Sequence, residues 1–228
     1  MTEEKHILGA YQRALSQLKT DALAMAEGAA ENLAHAIEGL LTANESLCNQ
    51  AIVDDEPIDL LEKKLDHDGV ETIMKFSPVA NDLRLVISTM KMATSLERIS
   101  DHAVSIARRS RRLMKGGPLP EAKLVETLHA KVAALLADAV SAFLESNLER
   151  ALQIDQRDKE IEALHAEGVN ALTKRMEQDA SRIPDYLDIL FIIRFLKRTS
   201  DQACNIAEDA VYRISSYDIR HGGERPQS

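Results

Sequence analysis

Two carboxylates, Glu97 and Asp101, lie one helical turn apart near the middle of this 228-residue chain. Residues four apart on an α-helix share a face, and like charges at that spacing repel by roughly 0.2–0.5 kcal/mol. A bound cation removes this cost, and carboxylate oxygens suit Mg²⁺, Mn²⁺ or iron, with water or other helices completing the coordination. The pair is therefore a candidate metal site. A solvated face screened by Arg98, His102 or Arg108 is the alternative.

A second polar face lies near the end of the chain, where Asp201, Asn205 and Glu208 follow one another at helical spacing. Lys197 precedes Asp201 by one turn. A lysine and an aspartate at this spacing form a salt bridge, which competes with a metal for the carboxylate. The sequence therefore predicts a weaker second metal site, with a structural ion pair as the alternative.

Two Glu-x-x-His pairs, Glu126 with His129 and Glu162 with His165, are of the kind that builds di-iron centres in helical bundles. Each pair lies near the start of a predicted helix, and the two helices are expected to be antiparallel neighbours. The pairs would then be roughly 30 Å apart, whereas paired metals lie about 3.5–4 Å apart. No shared centre is expected. A di-metal carboxylate enzyme remains an alternative function, which requires a buried two-metal site.

The sequence also shows no nucleophile–base set and no glycine-rich phosphate loop, which favours a protein that is not an enzyme.

Glycine, proline and polar clusters divide the chain into predicted helices. The strongest break is 116–120, which contains two glycines and two prolines. Ser77 and Pro78 are expected to be the N-cap and first residue of a helix. The predicted helices cover about 7–44, 77–114, 121–147, 158–179 and 183–217. A further helix is predicted to begin at 54–57, between the first two of these.

An internal duplication is visible when the sequence is shifted by about one hundred residues. Leu96-Glu-Arg-Ile-Ser-Asp101-His-Ala-Val-Ser-Ile-Ala107 lies over Leu196-Lys-Arg-Thr-Ser-Asp201-Gln-Ala-Cys-Asn-Ile-Ala207. Asp55-x-x-Ile58-Asp59 similarly matches Asp158-x-x-Ile161-Glu162. The prediction is an all-α fold of two tandem three-helix bundles, 1–115 and 121–217, with a linker at 116–120 and a disordered tail at 218–228.

Each third helix is predicted to bury one apolar stripe, because a helix advances about 100° per residue. The first stripe is Leu85, Met92, Leu96, Ile99, Ala103 and Ile106, and the second is Ile189, Ile193, Leu196, Ala203, Ala207, Val211 and Ile214.

Charge and composition exclude several classes of function. The chain has 28 Lys and Arg against 37 Asp and Glu, a formal charge of −9, and only 4% aromatic residues. This balance repels nucleic acid and leaves few stacking platforms for single strands. The first residues lack the apolar region of a secretory signal, and the apolar tract 189–196 is too short to cross a bilayer. A cytoplasmic location is expected, with Cys48 and Cys204 as reduced, buried thiols.

A basic run closes the third predicted helix, with arginines at positions 108, 109, 111 and 112. Cations at a helix C-terminus favourably oppose the macrodipole. The alternative is a contact with an acidic partner or, peripherally, with an anionic membrane surface.

The chain resembles the PhoU family at Pro78-Val-Ala-Asn-Asp-Leu-Arg84, Leu96-Glu-Arg-Ile-Ser-Asp101-His-Ala, Arg194-Phe-Leu-Lys-Arg-Thr-Ser-Asp201 and Asn205-Ile-Ala-Glu208. The resemblance covers nearly the whole length and includes the duplication. It implies two three-helix bundles whose Glu/Asp-x-x-x-Asp motifs hold surface metals, which are iron, zinc, magnesium or manganese, often in a homodimer.

By this resemblance Glu97 and Asp101 match the first metal motif, and Asp201, Asn205 and Glu208 match the second. Lys197 departs from the family pattern. The family implies a non-enzymatic negative regulator of phosphate uptake, which bridges the ATPase subunit of the phosphate transporter and a sensor histidine kinase. A surface metal-binding or metal-storage protein is the alternative.

Overall fold

The computed structural model describes residues 2–117 and 119–220, with side chains from Ile7 onward. All regular structure in these residues is helical. The α-helices are α1 (Thr2–Leu41), α2 (Glu45–Val53), α3 (Asp55–Phe76), α4 (Ala80–Gly116), α5 (Ala122–Glu145), α6 (Leu148–Gln178) and α7 (Ile183–Ser215), and a 3₁₀ turn, Ala180–Arg182, precedes α7.

The helices form two bundles. Helices α1, α3 and α4 pack on one another in the first, with α2 against α1 and α4, and α5, α6 and α7 form the second. Helix α4 packs along α7, which joins the two bundles through the third helix of each, and α1 also contacts α5. The predicted all-α fold is confirmed. The boundaries 1–115, 116–120 and 121–217 stay predictions, and the predicted disordered tail lies outside the described residues from 221 onward.

The linker between α3 and α4 differs from its prediction. Ser77 adopts a left-handed conformation (φ 45°) and ends α3, where its N–H donates to Ile73 O at 3.0 Å. Val79 is extended (φ −125°) and is the N-cap residue of α4. The prediction that Ser77 and Pro78 begin this helix is wrong, because Ser77 is the C-cap residue of α3 and α4 begins only at Ala80.

The middle helix of the second repeat starts earlier than predicted, whereas α3 of the first repeat begins at Asp55, inside the predicted opening at 54–57. Helix α6 begins at Leu148, where the Asn147 side chain accepts from the N–H of Arg150 at 3.0 Å. Asp158, expected to open this helix, lies inside it. In the first repeat Asn44 caps a separate short helix, α2, by accepting from the N–H of Ser46 at 3.0 Å. Together α2 and α3 therefore correspond to the single helix α6.

Both predicted core stripes are buried. Every residue of the first stripe, on α4, is at most 6% exposed. On α7 the stripe is buried from Ile189 to Val211, and Ile214 is half-buried. The 3.6-residue period therefore identified the core faces of both third helices.

Among the described helices, α5 has the length and apolar composition to cross a membrane. Its apolar residues, including Val125, Leu128, Val132 and Phe143, are buried within the protein. The helix packs against α6 and α7. Its composition therefore reflects a place in the bundle core.

Asp188 on α7 connects the two bundles through the basic run of α4. Its carboxylate accepts from Arg109 Nη1 at 2.6 Å and from Arg112 Nε at 3.0 Å, and the Arg109 guanidinium lies 4.0 Å from the centre of the Phe191 ring. Burial raises the pKa of Asp188, but hydrogen bonds from Arg112 and Arg109 outweigh it, so the pKa is lowered. Arg109 is half-buried, whereas the Arg112 side chain is 54% exposed, so Asp188 binds both arginines at the edge of the contact between the bundles.

The other two arginines of the run differ from each other. Arg111 pairs with Glu45 of α2 at 2.9 Å, whereas Arg108 is exposed. Three of the four arginines in the basic run are thus paired with carboxylates of this chain, although Arg108, Arg111 and Arg112 all remain exposed.

We expect Asp188→Asn to lower the free energy of unfolding by about 1–3 kcal/mol, because two charge-assisted hydrogen bonds lose their ionised acceptor. Urea denaturation at neutral pH measures this loss. Asp66→Asn, at an exposed position of α3, is the matched control and should change stability little. Equal stability of the two variants would show that the Asp188 pairs contribute nothing to holding the bundles together.

Candidate functional site

Five carboxylates face one another between α3 and α4 in the first repeat. We call Asp55, Asp59, Glu62, Glu97 and Asp101 the first acidic cluster. The pKa of Glu97 is raised to about 7 by burial, and then by the charges of Asp101, Glu62, Asp59 and Asp55. The predicted pair on α4 therefore belongs to a larger group that includes the first turns of α3.

This cluster has little compensating positive charge. Among the described side chains, no lysine or arginine nitrogen lies within 4.0 Å, the distance of an ion pair, of a carboxylate oxygen of Glu97 or Asp101. Burial raises the pKa of Asp101, as do Asp55 and Asp59, while Arg108 lowers it. The repulsion is therefore only partly screened.

Arg98, His102 and Arg108 were the three cations that could screen these carboxylates. In the structure, one of them acts on the cluster. Burial lowers the pKa of His102 to about 4, and its Nδ1 lies 3.2 Å from Thr199 Oγ1 between the bundles. It is therefore uncharged at neutral pH. Arg98 lines a cleft between α4 and α7, next to Asn205 and Asp209. Only Arg108 acts on the cluster as expected.

A buried hydrogen-bond chain fixes the position of Asp55. Asn32 on α1 donates to Ser100 Oγ at 2.7 Å, and Ser100 Oγ donates to Asp55 Oδ1 at 2.6 Å. Asn32 is fully buried, and its Oδ1 has no hydrogen-bond partner among the described residues. Sequence reasoning missed Asn32 and Glu62. Sequence reasoning placed Asp55 and Asp59 in the duplication and at a helix opening, but not beside Glu97 and Asp101.

The corresponding place in the second repeat contains a lysine. Lys197 Nζ lies 3.0 Å from Asp158 Oδ2 and 2.5 Å from Asp201 Oδ1. Burial lowers the pKa of Lys197, but the hydrogen bonds to Asp201 and Asp158 outweigh this effect and raise it. The predicted Lys197–Asp201 salt bridge is confirmed. We call Asp158, Lys197 and Asp201 the lysine triad.

The structure places the three residues of the second predicted metal site in two different surroundings. Asp201 belongs to the lysine triad, whereas Asn205 and Glu208 line the cleft between α4 and α7. The side-chain amide of Asn205 donates to Gln202 Oε1 at 3.3 Å. Metal binding by these three residues stays a prediction.

The two Glu-x-x-His pairs lie on α5 and α6. Glu126 and Glu162 are exposed. Burial lowers the pKa of His129, and burial followed by Lys197 lowers that of His165. Within residues 2–117 and 119–220, no three His, Cys, Asp or Glu side chains converge as a metal site. The same holds for the first acidic cluster, whose carboxylates oppose one another without meeting at one point.

The family model for the PhoU domain matches the chain twice, over residues 22–110 and 125–210. The chain belongs to the PhoU family. Both matched stretches fall inside the two helical bundles and include the first acidic cluster and the lysine triad.

Relatives agree over nearly the full length. The chain is 32% identical to a phosphate-specific transport system accessory protein PhoU homolog from Pseudomonas putida, over 96% of this chain and 86% of the relative. It is 30% identical to the phosphate-specific transport system accessory protein PhoU of Escherichia coli, over 96% and 91%. The crystal structure of PhoU from Pseudomonas aeruginosa superposes with a TM-score of 0.88 at 29% identity, covering 90% of this chain and 99% of that one.

These names denote accessory proteins. The chain therefore belongs to a regulatory family and not to a family of enzymes.

In metal-free protein we expect Glu97→Gln to stabilise the fold at pH 8 by roughly 0.5–1 kcal/mol, a figure for partly solvated like charges. The folded pKa of Glu97, about 7, lies above its unfolded value of 4.5, so the folded state binds more protons between them. Stability conferred by the neutral carboxyl is lost as pH rises through 7. The advantage of the variant should therefore disappear near pH 5.

Thermal unfolding in EDTA at pH 5 and pH 8 measures this difference. Glu167→Gln, at an exposed position inside α6, is the matched control. An unchanged or lowered melting temperature for Glu97→Gln at pH 8 would mean that the carboxylates of the first acidic cluster do not repel appreciably.

Proposed function

We propose that this protein is a cytoplasmic, non-enzymatic negative regulator of phosphate uptake and phosphate-regulon signalling. The observation that carries the proposal is the match of both repeats to the PhoU domain, with relatives named as accessory proteins of phosphate-specific transport. In this role it is an adaptor between the ATPase subunit of the phosphate transporter and a sensor histidine kinase. Regulation by partner choice needs no catalytic group, which fits a surface of helical faces.

A metal ion at the first acidic cluster is the second part of the proposal. Glu97 and Asp101 would hold it from α4, with Asp55 or Asp59 contributing from α3. The donor set fits iron, zinc, magnesium or manganese, because these are carboxylate oxygens with little compensating charge. When bound, the ion supplies positive charge and cross-links the two helices. Asn32 and Ser100 hold Asp55 in place for that contact.

Such a cross-link can act on signalling only through a difference between two states. A ligand shifts an equilibrium by its differential affinity for the two conformations. Opposed carboxylates keep α3 and α4 under repulsion without metal, and a bound cation removes it. The surface formed by these helices is therefore the one whose partner binding should depend on metal.

We limit the proposed metal to the first cluster, although Asp201, Asn205 and Glu208 also match a family motif. Lys197 already neutralises Asp201, and Asn205 and Glu208 line a separate cleft. A homodimer and a peripheral contact with an anionic membrane, through the exposed Arg108, remain parts of the proposal that the family suggests.

A metal-binding or storage role is the second candidate function. The observation that favours it is the charge imbalance of the first acidic cluster. It predicts stoichiometric metal together with no effect on genes that respond to phosphate starvation.

We expect Mn²⁺ to raise the melting temperature of EDTA-treated wild-type protein, because the cation relieves repulsion in the first acidic cluster. The response should be absent from Glu97→Ala/Asp101→Ala. Differential scanning fluorimetry with increasing Mn²⁺ measures it, and Glu126→Ala/Glu162→Ala controls for the loss of two exposed carboxylates. A double variant at the first cluster that responds like wild type would place any metal elsewhere.

In cells, we expect deletion of the gene to raise alkaline phosphatase, or another phosphate-starvation reporter of the host, in phosphate-rich medium. Wild-type protein should restore low output, because it restrains the kinase when phosphate is plentiful. Glu97→Ala/Asp101→Ala at equal protein level should fail if the acidic face carries the signal. Unchanged low output after deletion, in a host without a second copy, would reject regulation and favour metal storage.

A further inference from the structure

We infer that the Lys197 ammonium balances the carboxylates of the second repeat, as a bound metal ion would balance those of the first. The inference deepens the proposed function and rests on it, since it concerns the same pair of acidic faces. It assigns a role to a residue at which the chain departs from its family pattern.

The duplication puts equivalent residues at equivalent places in the two repeats. Asp55 corresponds to Asp158 and Asp101 to Asp201, while Lys197 stands at the place of Glu97. In the first repeat all three positions are carboxylates, on α3 and α4. In the second, the lysine ammonium lies between the two remaining carboxylates and contacts both.

The formal charges of the two sets differ by the charge of one divalent cation. Asp55, Glu97 and Asp101 together carry −3 when ionised, whereas the lysine triad carries −1. A divalent ion bound at the first set would bring it to −1, the charge that Lys197 already gives the second. The lysine therefore removes most of the negative charge that a metal would otherwise balance at these three positions.

Two members of the lysine triad are largely buried. Lys197 and Asp158 have side chains only 18% and 17% exposed, and their contact joins α7 to α6. At this burial an ion pair is less screened than at the surface, and loss of one partner leaves an uncompensated charge. This ion pair therefore links α6 to α7 without a bound metal.

The first repeat contrasts with this arrangement in charge and in backbone. Its cluster lacks a lysine, and its middle helix is divided between α2 and α3 immediately before Asp55. In the second repeat the same region is one continuous helix, α6, with Asp158 in its interior. Only the first repeat can therefore respond to a metal, and the protein should bind metal on one of its two acidic faces.

Lys197→Glu tests the inference, because it gives the second repeat the three carboxylates of the first. Equilibrium dialysis of the full chain against Mn²⁺ should show about one more bound equivalent for this variant than for wild type. Its melting temperature in EDTA should fall below that of wild type, and Mn²⁺ should restore it. Lys174→Glu, which makes the same charge change at an exposed position of α6, should alter neither quantity.

Glu97→Lys is the reciprocal variant, and it keeps the test decisive if Lys197→Glu does not fold without metal. It places a lysine between Asp55 and Asp101, so the melting temperature in EDTA should rise above that of wild type. Its response to Mn²⁺ should be lost. A Glu97→Lys protein that is destabilised, or that still responds to Mn²⁺ like wild type, would overturn the equivalence of lysine and metal.

The two proposals fail separately. If wild type binds Mn²⁺ but Lys197→Glu gains none, the metal at the first cluster stands and the role of Lys197 is refuted. If wild type binds no Mn²⁺ while Glu97→Lys is stabilised in EDTA, the proposed metal fails and the lysine remains the cation that this position requires.

Discussion

The packing of α4 along α7 is the contact on which the rest of this structure depends. It buries the apolar stripes of both third helices in one core and aligns the polar faces of the two repeats on the outside. Asp188 reinforces the contact by binding Arg109 and Arg112. Because Arg109, Arg111 and Arg112 are paired with carboxylates of the chain, much of the charge of the basic run is already balanced. Within the described residues, Glu97 and Asp101 of the first acidic cluster have no such ion pair with a lysine or arginine.

Duplication produced two copies of one architecture with different electrostatics. The fold tolerates this difference because neither Glu97 nor Lys197 belongs to a buried core stripe, and both positions are only half-buried. One substitution, at the place shared by Glu97 and Lys197, changes the local charge by two units. The first copy retains repulsion that a ligand can relieve, and the second has relieved it within the chain. Two copies of one architecture can in this way differ in how their acidic faces are balanced.

Much of the fold followed from periodicity and the internal repeat. The core stripes and the salt bridge of Lys197 with Asp201 depend on residues three or four positions apart, so local spacing was sufficient. The errors were at helix starts. Ser77 looked like a cap but terminates α3, and Asp158 looked like a helix opening but lies inside α6. In both places the residue types were compatible with two backbone paths, and packing against neighbouring helices selected one.

The sequence by itself determined the all-α class, the duplication, the family and the pairing of carboxylates along α4, because all of these are written in short-range spacing. Only the tertiary structure decided which groups meet across helices. It placed Asp55, Asp59 and Glu62 opposite Glu97, buried Asn32 behind Ser100, and put Asp158 within reach of Lys197. Those contacts join residues far apart in the chain. Their charges interact strongly only after helix packing brings them close together and removes much of the water between them.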